Sequence, residues 1–184
     1  MLVLASASPR RQELLRNAGI AFAVQAADIE ETPSEGEAPR DCAERLAREK
    51  ARTVFAQRPK DLVLGADTVV VIEGNILGKP RDANDAARML RMLSGRTHDV
   101  ITGVCLKGAA FEEVSSELTH VTMNALSDDD IRAYVASREP MDKAGAYAIQ
   151  GVASRWISRI EGDYFNVVGL PVVRVYGMLR GRGL

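Results

Sequence analysis

The chain has 184 residues, and 46% of them are hydrophobic, which predicts a single domain over residues 1–184 with a substantial core. The formal net charge of −1 favours neither nucleic acid nor an anionic membrane as a partner, so any phosphate binding must come from local clusters of cations. The two cysteines form no CxxC unit and the two histidines are widely separated, so we expect no zinc site. The sequence shows no signal peptide and no run of roughly 18 apolar residues, so we expect a cytoplasmic protein without a membrane span.

The first predicted elements are a strand over residues 2–5 and a helix over residues 9–18. Ser8 suits the N-cap position of this helix because its hydroxyl can accept a backbone N–H, and Pro9 suits the first helical position. Gly19 would end the helix, because glycine readily adopts the left-handed conformation that follows many helices.

Two arginines, Arg10 and Arg11, fall in the first turn of this predicted helix. Cations there cost a few tenths of a kcal/mol, because the helix N-terminus carries partial positive charge. A phosphate would offset this cost by accepting hydrogen bonds from the free backbone N–H groups, the serine hydroxyls and both guanidinium groups. The alternative interpretation is a pair of arginines solvated at the surface.

A predicted strand over residues 21–25 is followed by an acidic segment, residues 28–40, whose prolines and glycine indicate a mobile loop. The next predicted helix, residues 41–57, carries an apolar stripe formed by Ala43, Leu46, Ala47, Ala51, Val54 and Phe55. Lys50 lies on the same face as this stripe. Its ammonium group either extends past the stripe into solvent or lies at the edge of a pocket.

Residues 61–80 predict two paired strands, with turn residues at 73–75. Asp67 lies inside the first, otherwise apolar, strand. A lone buried carboxylate is costly, so Asp67 needs a cation, a metal or a firm hydrogen-bond network. The alternative is a hydrogen-bonded aspartate in a turn that follows Gly65.

The rest of the sequence alternates between helices and strands, which indicates an α/β fold. The predicted order is helix 82–93 with Asp82 as its cap, strands 99–106 and 113–123, helix 127–137, a segment of small residues at 142–151, strand 155–160 and helix 171–180.

Several common catalytic motifs are absent from the sequence: it contains no GxxxxGK[ST], no GxGxxG and no GxSxG. What remains is a set of cations and carboxylates, namely Arg10, Arg11, Lys50, Lys79, Lys143, Glu30, Glu31 and Asp67. Hydrolysis of a phosphoanhydride uses both kinds of group. Carboxylates hold Mg²⁺ and orient water, and cations offset the charge that develops on the leaving pyrophosphate.

Five segments carry a family resemblance: LASASPRRQELL, GADTVV, GKPRDA, LSGRTHDVITGV and DKAGAYAIQG. In this order and spacing the chain resembles, over nearly its whole length, the Maf family of nucleoside triphosphate pyrophosphatases, and in particular the branch that acts on dTTP and UTP. The resemblance implies hydrolysis of the triphosphate to monophosphate and pyrophosphate with a divalent metal, Mg²⁺ or Mn²⁺. It also implies a homodimer and a mixed α/β fold similar to that of the ITPases, in which an elongated β-sheet with flanking helices forms two lobes around a central cleft.

The resemblance assigns the catalytic carboxylate, which accepts a proton, to Asp67. The motif positions that line the phosphate and metal site are Ser8, Arg10, Arg11, Glu31, Lys50 and Lys79. Among the implied roles, the catalytic residues are Asp67, Lys50 and Lys79, and the metal ligands are Glu31 and Asp67. The positions tied to substrate choice are Arg10, Thr68 and Gln150. Gln150 suits a pyrimidine because its amide offers both a donor and an acceptor to an imide edge.

Two other functions fit the same resemblance. One is a regulator of cell division that binds nucleotide or a partner and inhibits septum formation, although the presence of Asp67 and the lysines favours catalysis. The other is an enzyme for modified pyrimidine triphosphates, which recognition of a uracil edge alone would accept.

Overall fold

Seven strands form one mixed sheet in the computed structural model, which describes residues 1–182. The strands are β1 (Leu2–Leu4), β2 (Ala23–Val24), β3 (Leu62–Ile72), β4 (Asn75–Leu77), β5 (Thr97–Gly108), β6 (Phe111–Met123) and β7 (Ile157–Glu161). Their order is β2-β1-β3-β5-β6-β7, with β4 paired to β3. β1 pairs in parallel with β2 and β3, and the other pairs are antiparallel. Residues 183–184, the end of the predicted domain, lie outside the described residues.

Six helices accompany the sheet: α1 (Pro9–Asn17), α2 (Pro39–Gln57), α3 (Ala83–Leu93), α4 (Asp128–Ala136), α5 (Tyr164–Val168) and α6 (Val172–Arg180). Short 3-10 turns occur at Glu139–Asp142, Ala144–Ala146 and Val152–Arg155. The predicted mixed α/β fold is confirmed, and every predicted helix is present within two residues of its expected ends. The helix α5 was not predicted. No helix within residues 1–182 is both long enough and apolar enough to cross a membrane.

The two faces of the sheet are covered by different helices. Successive residues of a strand point to opposite faces, and on β3 Val63 packs in a cluster with α2, whereas Leu64 packs in the main core with α1, α3, α4 and α6. By the same alternation Asp67 points toward α2 and Thr68 points toward α1. The interpretation of Asp67 as a turn residue after Gly65 is wrong, because β3 continues without a break from Leu62 to Ile72.

Glycines let α2 lie directly on the sheet. A Cβ atom added to Gly65 would lie 2.1 Å from the carbonyl oxygen of Ala47, and one added to Gly103 would lie 2.3 Å from that of Ala43. Both obstacles are backbone atoms of α2, so a side chain could be accommodated only by moving the helix. This close approach places Lys50, which is also on α2, beside Asp67.

We expect Gly65→Ala to lower the free energy of unfolding by about 3 kcal/mol or more, because overpacking against backbone cannot be relieved by a change of rotamer. Urea unfolding followed by circular dichroism measures this change. Gly177→Ala is the matched control: apart from its chain neighbours and the nearby backbone of its own helix, no atom of the described residues lies within 4 Å of its added Cβ, and alanine favours a helix over glycine by roughly 0.5–1 kcal/mol. An unchanged urea midpoint for Gly65→Ala would contradict the close approach.

Candidate active site

A cavity of about 760 Å³ opens where β3 lacks a neighbouring strand along one edge. The pairing with β1 ends at Leu64, and the pairing with β4 begins at Val70. The edge between these residues faces the cavity, and Asp67 lies at its centre. The other walls come from the β1–α1 turn, from α2, from residues 76–81 and from residues 142–150. The central cleft that the resemblance implied therefore lies at a gap in the sheet.

Four charged side chains alternate in sign along the cavity floor. Lys50 Nζ lies 2.6 Å from Asp67 Oδ1 and 2.5 Å from Glu31 Oε1. Lys79 Nζ lies 2.7 Å from Glu31 Oε2. Lys50 is buried, with 5% of its surface exposed, and Asp67 is 7% exposed. Lys50 therefore does not reach past the apolar stripe into solvent but places its ammonium group between two carboxylates.

The two lysines keep Glu31 ionised. Burial alone would raise the pKa of Glu31, but the hydrogen bonds and charges of Lys50 and Lys79 outweigh it and lower the pKa to about 2. Both Glu31 carboxylate oxygens accept a lysine hydrogen bond. Glu31 is therefore a carboxylate at any pH near neutrality.

The loop that carries Glu31 has no regular secondary structure, yet α2 holds it in place. The guanidinium group of Arg45 donates to Glu37 Oε1 at 2.6 Å and to the carbonyl oxygen of Thr32 at 3.1 Å. The backbone N–H of Ser34 donates to Glu37 Oε2 at 3.0 Å. These contacts connect both sides of the loop to the helix that carries Lys50, so Glu31 and Lys50 are positioned by the same element.

Two of these carboxylates suit a divalent cation. Glu31 and Asp67 both contact the ammonium group of Lys50, so the two carboxylates lie close together on the cavity floor, and Asp67 Oδ2 is not the oxygen that pairs with this ammonium group. Mg²⁺ commonly takes one or two protein carboxylates and completes its coordination with water and substrate phosphates. Within residues 1–182 no cluster of three or more His, Cys, Asp or Glu side chains could hold a metal ion. A cation here would therefore need oxygen atoms from a substrate among its ligands.

The N-terminus of α1 points its first turn into the cavity. Ser8 caps the helix by accepting the backbone N–H of Arg11 at 3.5 Å, as predicted. Arg10 lines the cavity with a partly exposed side chain, and its Nη1 lies 3.7 Å from Asp142 Oδ2. Lys143 donates to the same carboxylate at 2.6 Å. Arg10 is therefore exposed enough to contact a ligand, although it also pairs with Asp142.

Arg11 differs from its neighbour because it is buried and each of its side-chain nitrogens donates to the protein. Nε donates to the Gly169 carbonyl oxygen at 2.8 Å, Nη1 to Ser6 Oγ at 3.1 Å and Nη2 to Thr68 Oγ1 at 3.0 Å. Burial lowers the pKa of Arg11, although the charges of Asp67 and Glu31 oppose this change. These contacts favour a role in positioning Thr68, and direct contact of Arg11 with phosphate stays a prediction.

The hydrogen bonds around Thr68 fix the direction of its hydroxyl proton. Thr102 Oγ1 donates to the Asn166 carbonyl oxygen at 3.0 Å, so in the 2.9 Å contact between the two threonine hydroxyls Thr68 is the donor. Thr68 Oγ1 already accepts one bond from Arg11. It can therefore offer a ligand only one remaining lone pair, and a ligand group that bonds to it must be a donor.

Gln150 belongs to the segment of small residues, residues 142–150, which forms another wall of the cavity. The residue is exposed and lines the cavity. Gly145 approaches β3 so closely that an added Cβ would lie 2.9 Å from Val70. This contact holds the segment against the strand that carries Asp67 and Thr68, so Gln150 shares the cavity with both.

The cavity contains residues that the sequence analysis did not single out, and it lacks one that the analysis considered. Three additional polar residues among those that line it are Ser6, Arg81 and Asp142. Each lies inside a motif quoted above, in LASASPRRQELL, GKPRDA and DKAGAYAIQG, so the motifs located them without giving them a role. Glu30 does not line the cavity and instead accepts a hydrogen bond from Thr32.

The Maf-like protein family matches residues 1–182 of this chain. A dTTP/UTP pyrophosphatase of Koribacter versatilis is 58% identical over 183 residues, which cover 100% of this chain and 95% of that protein. A dTTP/UTP pyrophosphatase of Syntrophomonas wolfei is 54% identical, with coverage of 98% and 96%. Among solved structures, the Staphylococcus aureus Ham1 protein aligns over 66% of this chain and 71% of its own, with a TM-score of 0.46 and 14% identity.

Proposed function

The chain belongs to the Maf-like protein family, and we propose that it is a pyrophosphatase that hydrolyses dTTP and UTP to the nucleoside monophosphate and pyrophosphate. The observation that carries this proposal is the row of alternating charges Asp67, Lys50, Glu31 and Lys79 on the floor of a cavity of suitable size. Known ligand cavities have volumes of about 300–1,000 Å³. The names of relatives that are more than half identical over their whole length support the same substrates.

The reaction breaks the anhydride bond between the α- and β-phosphates, and water supplies the new oxygen of the monophosphate. Asp67 is suited to accept a proton from this water at its carboxylate. A divalent cation, Mg²⁺ or Mn²⁺, would be held by Glu31 and Asp67 and would neutralise charge on the phosphate oxygens. Lys50 and Lys79 lie where they can stabilise the negative charge that develops on the leaving pyrophosphate.

Recognition of the base is assigned to the wall of the cavity that carries Gln150. The Gln150 amide presents a donor and an acceptor, which match a carbonyl oxygen and the N–H of a uracil or thymine edge. Thr68 can only accept a further hydrogen bond, as its contacts with Arg11 and Thr102 require. Arg10, in the first turn of α1, lines the same cavity and is assigned to substrate choice together with Thr68 and Gln150. Cytosine has an amino group in place of one carbonyl, so a fixed amide orientation discriminates against it.

A panel of substrates tests this function. Pyrophosphate release is measured with dTTP, UTP, CTP and 7-methyl-GTP, each with Mg²⁺, with Mn²⁺ and with a chelator. We expect the highest kcat/KM for dTTP and UTP and loss of turnover in the chelator. Turnover that is equal for all four substrates, or undetectable for all, would overturn the assignment. Including 5-methyl-UTP and pseudouridine triphosphate shows whether modified pyrimidines are preferred.

The homodimer implied by the family resemblance stays a prediction. Val173 and Tyr176 on α6 are large apolar side chains with 76% and 50% of their surface exposed, and they are candidate contacts for a second copy. The mass of the protein in solution, compared with 20.0 kDa for one chain, tests this prediction directly.

Replacing Gln150 with glutamate is expected to lower kcat/KM for dTTP and UTP by about 10- to 100-fold, because a carboxylate repels the base carbonyls and lacks a donor, a loss of about 1–3 kcal/mol. The values for CTP and 7-methyl-GTP should change much less. Gln57→Glu, at the far end of α2, introduces the same charge away from the cavity and serves as the control. If all four substrates lose activity by the same factor, Gln150 does not select the base.

A further inference from the structure

Gln150 projects from a backbone turn that is held on its N-terminal side by Tyr134. The Gly151 N–H donates to the carbonyl oxygen of Ala148 at 3.1 Å and closes the turn. The N–H of Ala148 donates to the Tyr134 hydroxyl at 3.3 Å. Tyr134 is on α4, its ring is buried, and it packs against Trp156 with ring centroids 5.4 Å apart. The position of the hydroxyl is therefore fixed by the core.

Glu139 holds the other side of the same turn. Its Oε1 accepts the N–H of Val152 at 3.1 Å and the Tyr134 hydroxyl at 2.9 Å. Burial raises the pKa of Tyr134, so its hydroxyl keeps the proton that it donates to Glu139. Ala148 and Val152 lie two residues before and two residues after Gln150. Both are thus hydrogen-bonded to the linked pair of side chains formed by Tyr134 and Glu139.

The backbone lies very close to this carboxylate. A Cβ atom added to Gly151 would lie 1.9 Å from Glu139 Oε1. The carboxylate cannot yield without losing its bonds to Tyr134 and Val152. A residue with a side chain at this position would therefore displace the turn, and with it Gln150.

We propose that Tyr134 and Glu139 are positioning residues that determine selectivity for the base by holding the turn that presents Gln150. Neither residue lines the cavity, and the pair acts through the backbone at Ala148 and Val152. This inference rests on the proposed function, since Gln150 is assigned to the base there. It adds two residues outside the cavity to the determinants of substrate choice.

Three variants test the pair. Glu139→Ala removes the acceptor for Tyr134 and for Val152, and Tyr134→Phe keeps the buried ring but removes the hydroxyl. Glu139→Gln retains an oxygen that can accept both hydrogen bonds. For Glu139→Ala we expect KM for dTTP to rise and the ratio of kcat/KM for dTTP over CTP to fall about 10-fold, with kcat within about threefold, because the lost contact binds ground state and transition state alike. Tyr134→Phe should also raise KM for dTTP and lower the ratio of kcat/KM for dTTP over CTP. Glu139→Gln should keep this ratio within about twofold of the wild-type value.

A double-mutant cycle separates positioning from general destabilisation. In a Gln150→Ala background, Glu139→Ala should leave the ratio of dTTP to CTP unchanged, because the side chain that the turn presents is gone. A thermal melt of each variant measures any loss of stability separately. The positioning role would be overturned if both Glu139→Ala and Tyr134→Phe kept the wild-type ratio of kcat/KM for dTTP over CTP. It would also be overturned if Glu139→Ala lowered this ratio as much in the Gln150→Ala background as in the wild-type protein. If the wild-type protein itself does not prefer dTTP over CTP, the proposed function fails instead.

Discussion

Asp67→Asn is expected to lower kcat for pyrophosphate release by about 10³-fold or more. Asparagine keeps the shape of the side chain but loses the charge that binds a cation and the basic oxygen that accepts a proton from water. Metal-assisted stabilisation of a phosphoryl transition state contributes several kcal/mol, and each 1.36 kcal/mol is a factor of ten in rate. Pyrophosphate release under saturating dTTP measures the loss.

The fold should survive this substitution. Lys50 stays paired with Glu31 at 2.5 Å, so no buried ammonium is left without a carboxylate. Asp61→Asn is the matched control: Asp61 directly precedes β3 and pairs with Arg58 and the N-terminal ammonium group, far along the strand from the cavity. The control should keep its full turnover. Activity of Asp67→Asn within threefold of wild type, with a normal thermal melt, would exclude Asp67 as the catalytic carboxylate.

Two of the four residues on the cavity floor, Lys50 and Asp67, lie on regular elements that the sequence predicts, whereas Glu31 and Lys79 lie in loops. The apolar stripe of α2 fixes the face on which Lys50 projects, and the apolar run around Asp67 fixes a buried strand. A buried carboxylate and a buried ammonium need partners, and the geometry of α2 on β3 brings these two within 2.6 Å. Gly65, which permits this contact, is visible in the sequence. The sequence does not show which of the predicted helices packs against it.

The different roles of Arg10 and Arg11 could not be predicted from the sequence. Both lie in the first turn of α1, yet successive helical residues point about 100° apart, so Arg10 faces the cavity and Arg11 faces the core. The buried side chain of Arg11 donates to the carbonyl oxygen of Gly169, which is 158 residues away in the chain. The cost of a cation at the helix N-terminus is thus offset for Arg11 by acceptors within the protein.

The helix α5 was missed for a related reason. Its five residues, YFNVV, are aromatic or β-branched apart from one asparagine, and such residues favour strands. Tertiary hydrogen bonds override this preference: Asn166 accepts two bonds from Thr102, one from its backbone N–H and one from its hydroxyl, and donates to Val100 and Thr119. Through Thr102 these bonds reach Thr68, so a helix that was not predicted helps to order a hydroxyl that lines the cavity.

Lys50→Met is expected to lower kcat/KM for dTTP by about 10²-fold or more, because removing one preorganised cation from developing phosphate charge has an effect of that size. Methionine keeps the buried aliphatic stem but leaves the buried Asp67 carboxylate without its cation, so a thermal melt of the variant is recorded beside the kinetics. The ratio of kcat/KM for dTTP over CTP should stay at its wild-type value, since the proposed function assigns the base to Gln150 and not to Lys50. Steady-state kinetics with both substrates measure the two quantities together.

The pH dependence gives this prediction a second, independent readout. In the wild-type protein the two lysines lower the pKa of Glu31 from its usual 4.5 to about 2, so Glu31 is ionised throughout the range in which the enzyme is assayed. Without Lys50 only Lys79 opposes the effect of burial, the pKa of Glu31 rises, and the acid limb of kcat/KM moves to higher pH. Lys107→Met removes a lysine from β5 outside the cavity. It should change neither kcat/KM for dTTP nor the position of its acid limb. A Lys50→Met enzyme that keeps its rate but loses its preference for dTTP would place this lysine at the base rather than at the phosphates.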